Sequence, residues 1–269
     1  DPSLANWISE NGCFPNSMVD RIVPRLTSEH RQQVSAITQR DEAGLVVCEP
    51  FSQWVIEDRF VAGHRPALEK AGVTLADDVE AFERMKLRML NGTHSALAYL
   101  GVLAGFDTVF EASSDPTFAD FLERLWREEL IPTVTPPPPG LDLQADAQGL
   151  LDRYRNPTIA HQLRQIAMDG SQKLPQRILD PLFENRRAGR ACDGLLRVLA
   201  GWVVFLSREA EAGNAISDPL SEVLAQAVGQ AKTPEARVAA VLSIEAVFGA
   251  YPVEDIRADV TARVVQWAE

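Results

Sequence analysis

The sequence predicts a mainly α fold that carries one small pair of β-strands near residues 45–57. Two observations carry this. From Gly63 onward, apolar residues recur with a period near 3.6 in one segment after another, the pattern of amphipathic helix. Only residues 44–48 and 53–56 are dense in β-branched and aromatic side chains over strand lengths, and Glu49-Pro50-Phe51 separates them. An apolar content of 46% over 269 residues suffices for one large core or two modest ones.

Taken in order, residues 1–12 read as the end of a helix. Asp20-Arg21 stands between apolar Met18-Val19 and Ile22-Val23, a setting in which charges usually form a solvated turn. Residues 27–41 are polar and form a surface helix capped by Thr27 or Ser28. Trp54 belongs to the core of the strand pair, and Glu57-Asp58-Arg59 to a solvated strand end. Asp77-Asp78 open the central helix, where acids in the first turn favour the dipole. Asp115-Pro116 supply the N-cap and first position of a helix running to Leu130. Residues 132–140, with four consecutive prolines, form an extended strap between helices. Further helices follow near 144–155, 157–168, 190–208, 217–230, 233–249 and 253–268, with no repeat of solenoid period. Trp7, Trp126, Trp202 and Trp267 are expected in packing, His64 and His161 at the surface.

Composition excludes several classes. A net charge of −12 and a pI near 4.9 argue against nucleic acid and anionic membranes as partners. Cys13, Cys48 and Cys192 are few, odd in number and far apart, which suits a reducing compartment and offers no zinc site. The longest apolar run, residues 195–206, contains Arg197 and is too short to span a bilayer. No signal peptide is visible, and a cytoplasmic location is expected.

The richest stretch is residues 83–100, read as one helix. At about 100° per residue, with Lys86 at zero, Glu83 falls near 60°, His94 near 80° and Asn91 near 140°. An acid, an amine, an amide and an imidazole then share an arc with Leu90, Leu97, Ala98 and Gly101, so that arc faces packed protein. Buried polar groups need partners, internal or from a ligand. Two other readings compete. Asn91-Gly92 is a strong hairpin signal, set aside because helix formers flank it on both sides. Asn91 and His94 could also be satisfied core polars while Lys86 reaches the surface. Gly92 costs the helix about 1 kcal/mol relative to Ala and would let a second chain or a ligand approach closely.

Lys86, Asn91 and His94, spaced Lys-x4-Asn-x2-His, resemble the active-site signature of the polyol-specific long-chain dehydrogenases, a family that includes mannitol 2-dehydrogenase and fructuronate reductase. Three further stretches resemble the same family. They are Phe14-Pro-Asn-Ser-Met-Val-Asp-Arg-Ile-Val-Pro24, Glu49-Pro-Phe-Ser-Gln-Trp-Val-Ile-Glu-Asp-Arg59, and Asn156-Pro followed by Gln165-Ile-Ala-Met-Asp-Gly-Ser-Gln-Lys-Leu-Pro175. Gly12 departs from the pattern, which has a larger apolar residue there. The resemblance implies a helical substrate-binding domain similar to the 6-phosphogluconate dehydrogenase C-terminal-like fold over residues 45–269, with 1–44 as a connecting segment. The sequence starts at Asp1 without Met, and none of its 16 glycines forms a G-x-G-x-x-G turn after a strand. The expectation is therefore a fragment from which the Rossmann domain is absent. NAD or NADP would be bound mainly by that missing N-terminal nucleotide-binding domain, itself a partner of this chain, and no metal is implied.

Oxidising a secondary alcohol requires a base for the hydroxyl proton and donors for the developing alkoxide. Lys86 is the candidate base, provided that burial or a nearby cation lowers its pKa. The resemblance makes Asn91 and His94 the residues that orient the reactive oxygen and Glu83 the outlet for the proton; the alternative for Glu83 is an i,i+3 ion pair with Lys86. It also implies substrate-binding roles for Asp20, Arg164 and Lys173, with Gln172 able to replace Lys173 after a one-residue shift. Arg164 and Lys173 read equally as surface charges. Two fixed cations suit a sugar acid, so D-mannonate/D-fructuronate is favoured slightly over D-mannitol/D-fructose. The competing function is a non-catalytic helical interaction module on the same scaffold.

Overall fold

A computed structural model of the chain describes residues 1–267, which divide into two compact units. The first comprises Asp1–Lys86 with Pro136–Pro139; the second comprises Leu87–Thr135 and the chain from Gly140 on.

In the first unit, helix α1 (Pro2–Asn11) starts at Asp1, whose carboxylate accepts from the Ser3 N–H. Strand β1 (Ser17–Asp20) follows, then helix α2 (Ser28–Thr38), β2 (Gln53–Glu57), β3 (Thr74–Ala76) and α3 (Glu80–Met85). Thr27 caps α2 as expected, and His30 closes the box by accepting from the Thr27 N–H. The strands form one sheet in the order β1-β2-β3, the first pair antiparallel and the second parallel. Met18, Val55, Val79 and Phe82 make its core, with Ala76 packed against them.

This corrects the strand pair predicted near 45–57. Residues 44–48 form no strand; β2 pairs instead with β1 and β3. β-Propensity reports fit to a half-buried pleated surface, and Val46, 64% exposed, has no such surface to cover. Trp54 is likewise not core. Its side chain is 40% exposed and donates from Nε1 to Ser17 Oγ across the sheet at 2.7 Å. Trp7 is exposed as well, whereas Trp126 and Trp202 are fully buried.

The second unit is helical. Its elements are α4 (Gly92–Leu103), α5 (Val109–Ser114), α6 (Pro116–Arg124), α7 (Leu143–Tyr154), α8 (Leu163–Ile166), α9 (Gly170–Leu174), α10 (Asp180–Arg187), α11 (Asp193–Glu211), α12 (Ser221–Gln230), α13 (Pro234–Leu242), α14 (Glu245–Phe248) and α15 (Glu254–Gln266). Asp115 and Pro116 are the N-cap and first residue of α6, the carboxylate accepting from Thr117 and Phe118 N–H. The helix predicted over 157–168 shrinks to α8: residues 156–161 run through turns, with Ile159 N–H donating to the Asn156 carbonyl, and Gln162, itself extended, bridges to Thr108. α4 is buried from Gly92 to Gly101, and α11 packs against it and against α15. No helix among the described residues is long and apolar enough to cross a membrane.

Among the described residues, three π-helical turns interrupt the α-helices: Lys86–Asn91, Leu125–Leu130 and Pro175–Leu179. The first joins α3 to α4, so residues 80–103 are one helical run and Asn91-Gly92 is no hairpin. A π-turn shifts the backbone ladder to i→i+5, and carbonyls displaced from the α register need other donors. The Met89 carbonyl accepts from Trp126 Nε1 at 3.0 Å and from Thr93 Oγ1 at 2.5 Å; the Leu90 carbonyl accepts from the Tyr154 hydroxyl at 2.9 Å. Side chains from two other helical segments thus hold this turn in place, and the arithmetic of 100° per residue does not hold across it.

Candidate active site

In the first unit, Lys86 ends the run from α3 and donates from its ammonium to the Val19 carbonyl on β1. Asp20, the last residue of β1, is buried on the same face of the sheet as Met18. It sits in a strand rather than in a solvated turn. Glu49 supports the segment after it, accepting from the Ile22 N–H at 2.6 Å. Glu83 is exposed on α3.

In the second unit, Asn91 closes the π-turn, half-buried, and His94 lies buried one turn further along. The His94 ring is held by other rings. Tyr154 lies on one side at 4.8 Å between centroids, and His161 meets it edge-on at 5.5 Å. Tyr154 is fixed in turn by its hydroxyl, which donates to the Leu90 carbonyl, with Thr93 Oγ1 2.8 Å from the same hydroxyl. Burial holds the His94 pKa well below the ordinary histidine value, and the electrostatic influence of His161, Arg177, Arg153 and Lys173 pushes the same way. His94 is therefore a neutral imidazole at neutral pH. Its Nε2 is buried and has no hydrogen-bond partner among the described residues.

His161 is not the surface residue that its polar sequence neighbours predicted. Its Nδ1 is buried and unpartnered, and burial, with help from Lys173, pushes its pKa down to about 4. Sequence reasoning also missed Arg177, on the π-turn Pro175–Leu179. Burial lowers its pKa; its η nitrogen reaches Ser95 Oγ at 3.4 Å, and its Nε is buried without a partner. No spacing rule connects either residue to His94, because tertiary packing alone brings them there.

Lys173 and Arg164 part company. The Lys173 ammonium donates to the Met168 carbonyl at 2.6 Å and the Ile166 carbonyl at 3.3 Å, yet its charge reaches both histidines. Arg164 is 59% exposed and pairs with Glu209 at 2.9 Å; it is not among the charges acting on His94. Among the described residues, no group of His, Cys, Asp and Glu is arranged to hold a metal ion.

Residues 78–267 match the family model of the mannitol dehydrogenase C-terminal domain, and residues 1–70 that of the mannitol dehydrogenase Rossmann domain. The second match overturns the expectation of a chain without any Rossmann part. That expectation rested on the glycine-rich turn, one short stretch of such a domain, whose absence says nothing of the domain's other strands and helices. D-mannonate oxidoreductase of Escherichia coli is 44% identical over 250 residues, which cover 92% of this chain and 51% of that protein. Mannitol 2-dehydrogenase of Phaeosphaeria nodorum is 39% identical over 264 residues, covering 96% and 44%. The structure of Pseudomonas fluorescens mannitol 2-dehydrogenase in ternary complex with NAD and D-mannitol superposes with a TM-score of 0.85 at 35% identity, over 99% of this chain and 53% of that one. The chain thus spans about half the length of the curated relatives it matches. With its helical residues 78–267 matching the C-terminal domain and its N-terminal sheet within the Rossmann match, the chain belongs to the mannitol dehydrogenase family.

Proposed function

We propose that this chain forms the catalytic and substrate-binding part of an NAD(P)-linked oxidoreductase that interconverts a sugar acid or sugar alcohol with its keto form, with D-mannonate preferred over D-mannitol. One observation carries the reading: His94 is buried, neutral and fixed by flanking rings, while its Nε2 has no hydrogen-bond partner among the described residues. A buried imidazole nitrogen left open in this way suits a substrate oxygen. The cations around it, Arg177, Arg153 and Lys173, favour a ligand that carries negative charge.

In this reading Lys86 removes the hydroxyl proton. Its hydrogen bond to the Val19 carbonyl fixes the position of the side-chain nitrogen. Asn91 and His94 donate hydrogen bonds to the oxygen as negative charge develops on it. Glu83, exposed one turn before Lys86, passes the proton to solvent. Asp20, Lys173 and Arg164 recognise the remaining hydroxyls, Arg164 after exchanging Glu209 for the ligand. A bound nicotinamide would supply the hydride acceptor for the carbinol carbon. The described residues contain no glycine-rich turn opening a helix, so the pyrophosphate grip is assigned to nucleotide-binding sequence outside them.

The test is NAD(P)-linked oxidation of D-mannonate and of D-mannitol by the holoenzyme. Turnover of neither overturns the reading.

A further inference from the structure

Among the described residues, the buried side-chain nitrogens with no hydrogen-bond partner are His94 Nε2, His161 Nδ1, Arg177 Nε and Arg257 Nε. Folded proteins leave few such atoms, and each one calls for an explanation. The first three belong to one neighbourhood. The His94 and His161 rings meet edge to face at 5.5 Å. Arg177 acts electrostatically on His94 and touches Ser95, the next residue. Three orphaned polar atoms on side chains of one neighbourhood are accounted for together if a ligand's oxygens meet them.

The two cations that the sequence offers for an acidic ligand, Arg164 and Lys173, are engaged with protein groups in this structure. Arg164 is paired with Glu209 at 2.9 Å. The Lys173 ammonium is held by the carbonyls of Met168 and Ile166, with the Asp169 carboxylate at 3.9 Å. Arg177 alone among the three keeps a buried nitrogen without a partner. A guanidinium in that state matches a carboxylate, whose two oxygens accept from it together. An imidazole nitrogen matches a hydroxyl, which donates and accepts with equal ease.

We propose that Arg177 and His161 are specificity residues of this site, Arg177 binding the carboxylate of a sugar acid and His161 a hydroxyl on the chain between that carboxylate and the oxygen held by His94. The inference rests on the function proposed above and adds to it the residue that selects an acid over a neutral polyol.

The experiment compares kcat and KM of the holoenzyme for D-mannonate and D-mannitol in wild type, Arg177→Lys, Arg177→Ala and His161→Gln. Arg177→Lys is expected to lower kcat/KM for mannonate at least about tenfold, the worth of one charge-assisted hydrogen bond, and mannitol by a smaller factor. Guanidinium ion added to Arg177→Ala should restore mannonate turnover, which a merely structural defect would not allow. His161→Gln should raise KM for both substrates more than it lowers kcat. An unchanged mannonate-to-mannitol ratio in both Arg177 variants, or a wild type that turns over mannitol alone, overturns this inference and leaves the dehydrogenase reading standing. A wild type that oxidises neither overturns that reading instead.

Discussion

The carbonyl oxygen of Arg177 lies 3.1 Å from the point that a side-chain carbon on Gly92 would occupy. The close approach at Gly92, expected from a second chain or a ligand, is made instead by this chain's own backbone in the π-turn Pro175–Leu179, which brings Arg177 to the neighbourhood of His94. Gly92→Ala would recover about 1 kcal/mol of helix propensity but force that backbone away, at a cost of about 1–3 kcal/mol. The expected net effect is a loss on the order of 1 kcal/mol, read as a lower urea midpoint at unchanged m-value. A stabilised variant would show that the turn yields freely.

Lys86→Ala in the holoenzyme is expected to lower kcat by about 10²–10⁴-fold, the usual contribution of a positioned base. Added methylamine should restore part of it. A variant with normal kcat and raised KM would make Lys86 a binding residue.

Arg88 is buried after Lys86 in the same π-turn. Its guanidinium meets Glu184 with two hydrogen bonds, at 2.7 and 2.6 Å, and donates to the Thr133 carbonyl. Removing one member of a buried pair strands the other. Glu184 retains some solvent, so Arg88→Ala is expected to cost about 2 kcal/mol, below the full penalty for a sealed pair. An unchanged thermal midpoint would contradict this.

With no glycine-rich turn among the described residues, the 269-residue chain by itself is expected to show no saturable NADH binding at micromolar cofactor. Calorimetric titration of the purified chain reads this directly. Tight stoichiometric binding would place a cofactor grip within these residues and change the assignment of the nucleotide site.

Local chemistry was legible in the sequence. Thr27 and Asp115-Pro116 mark helix starts because capping and the proline ring act within a few residues. The helical reading of Asn91-Gly92 follows from the helix formers around it, although the π-turn is invisible to a fixed angle per residue. What tertiary contact decides was not legible. β1 is four residues ending in a charge, and its pairing with β2 joins segments more than thirty residues apart. Trp54 satisfies its indole N–H at the sheet surface, which hydrophobicity alone does not foresee. His161 and Arg177 stand beside His94 only because the turns before Gln162 and the π-turn Pro175–Leu179 bring them there.

The depressed pKa values give stability a definite pH dependence. The folded-state value of His161 is about 4, below its ordinary 6.5, and that of His94 is also lowered. Between those limits the unfolded chain binds the proton that the folded protein refuses, so folding stability rises with pH. The contribution is fully present above pH 6.5, fades as pH falls through that value and is exhausted below about pH 4. From pH 7 to 4.5, His161 alone should remove on the order of 2 kcal/mol. Carboxylates titrate in the same range, so the variant decides the matter. Urea unfolding of the wild type and of His161→Gln at both pH values should show the wild type losing more stability across the interval. Parallel losses would mean that His161 takes up its proton in the folded protein as readily as in the unfolded chain, and that the pocket around His94 is wetter than its burial implies.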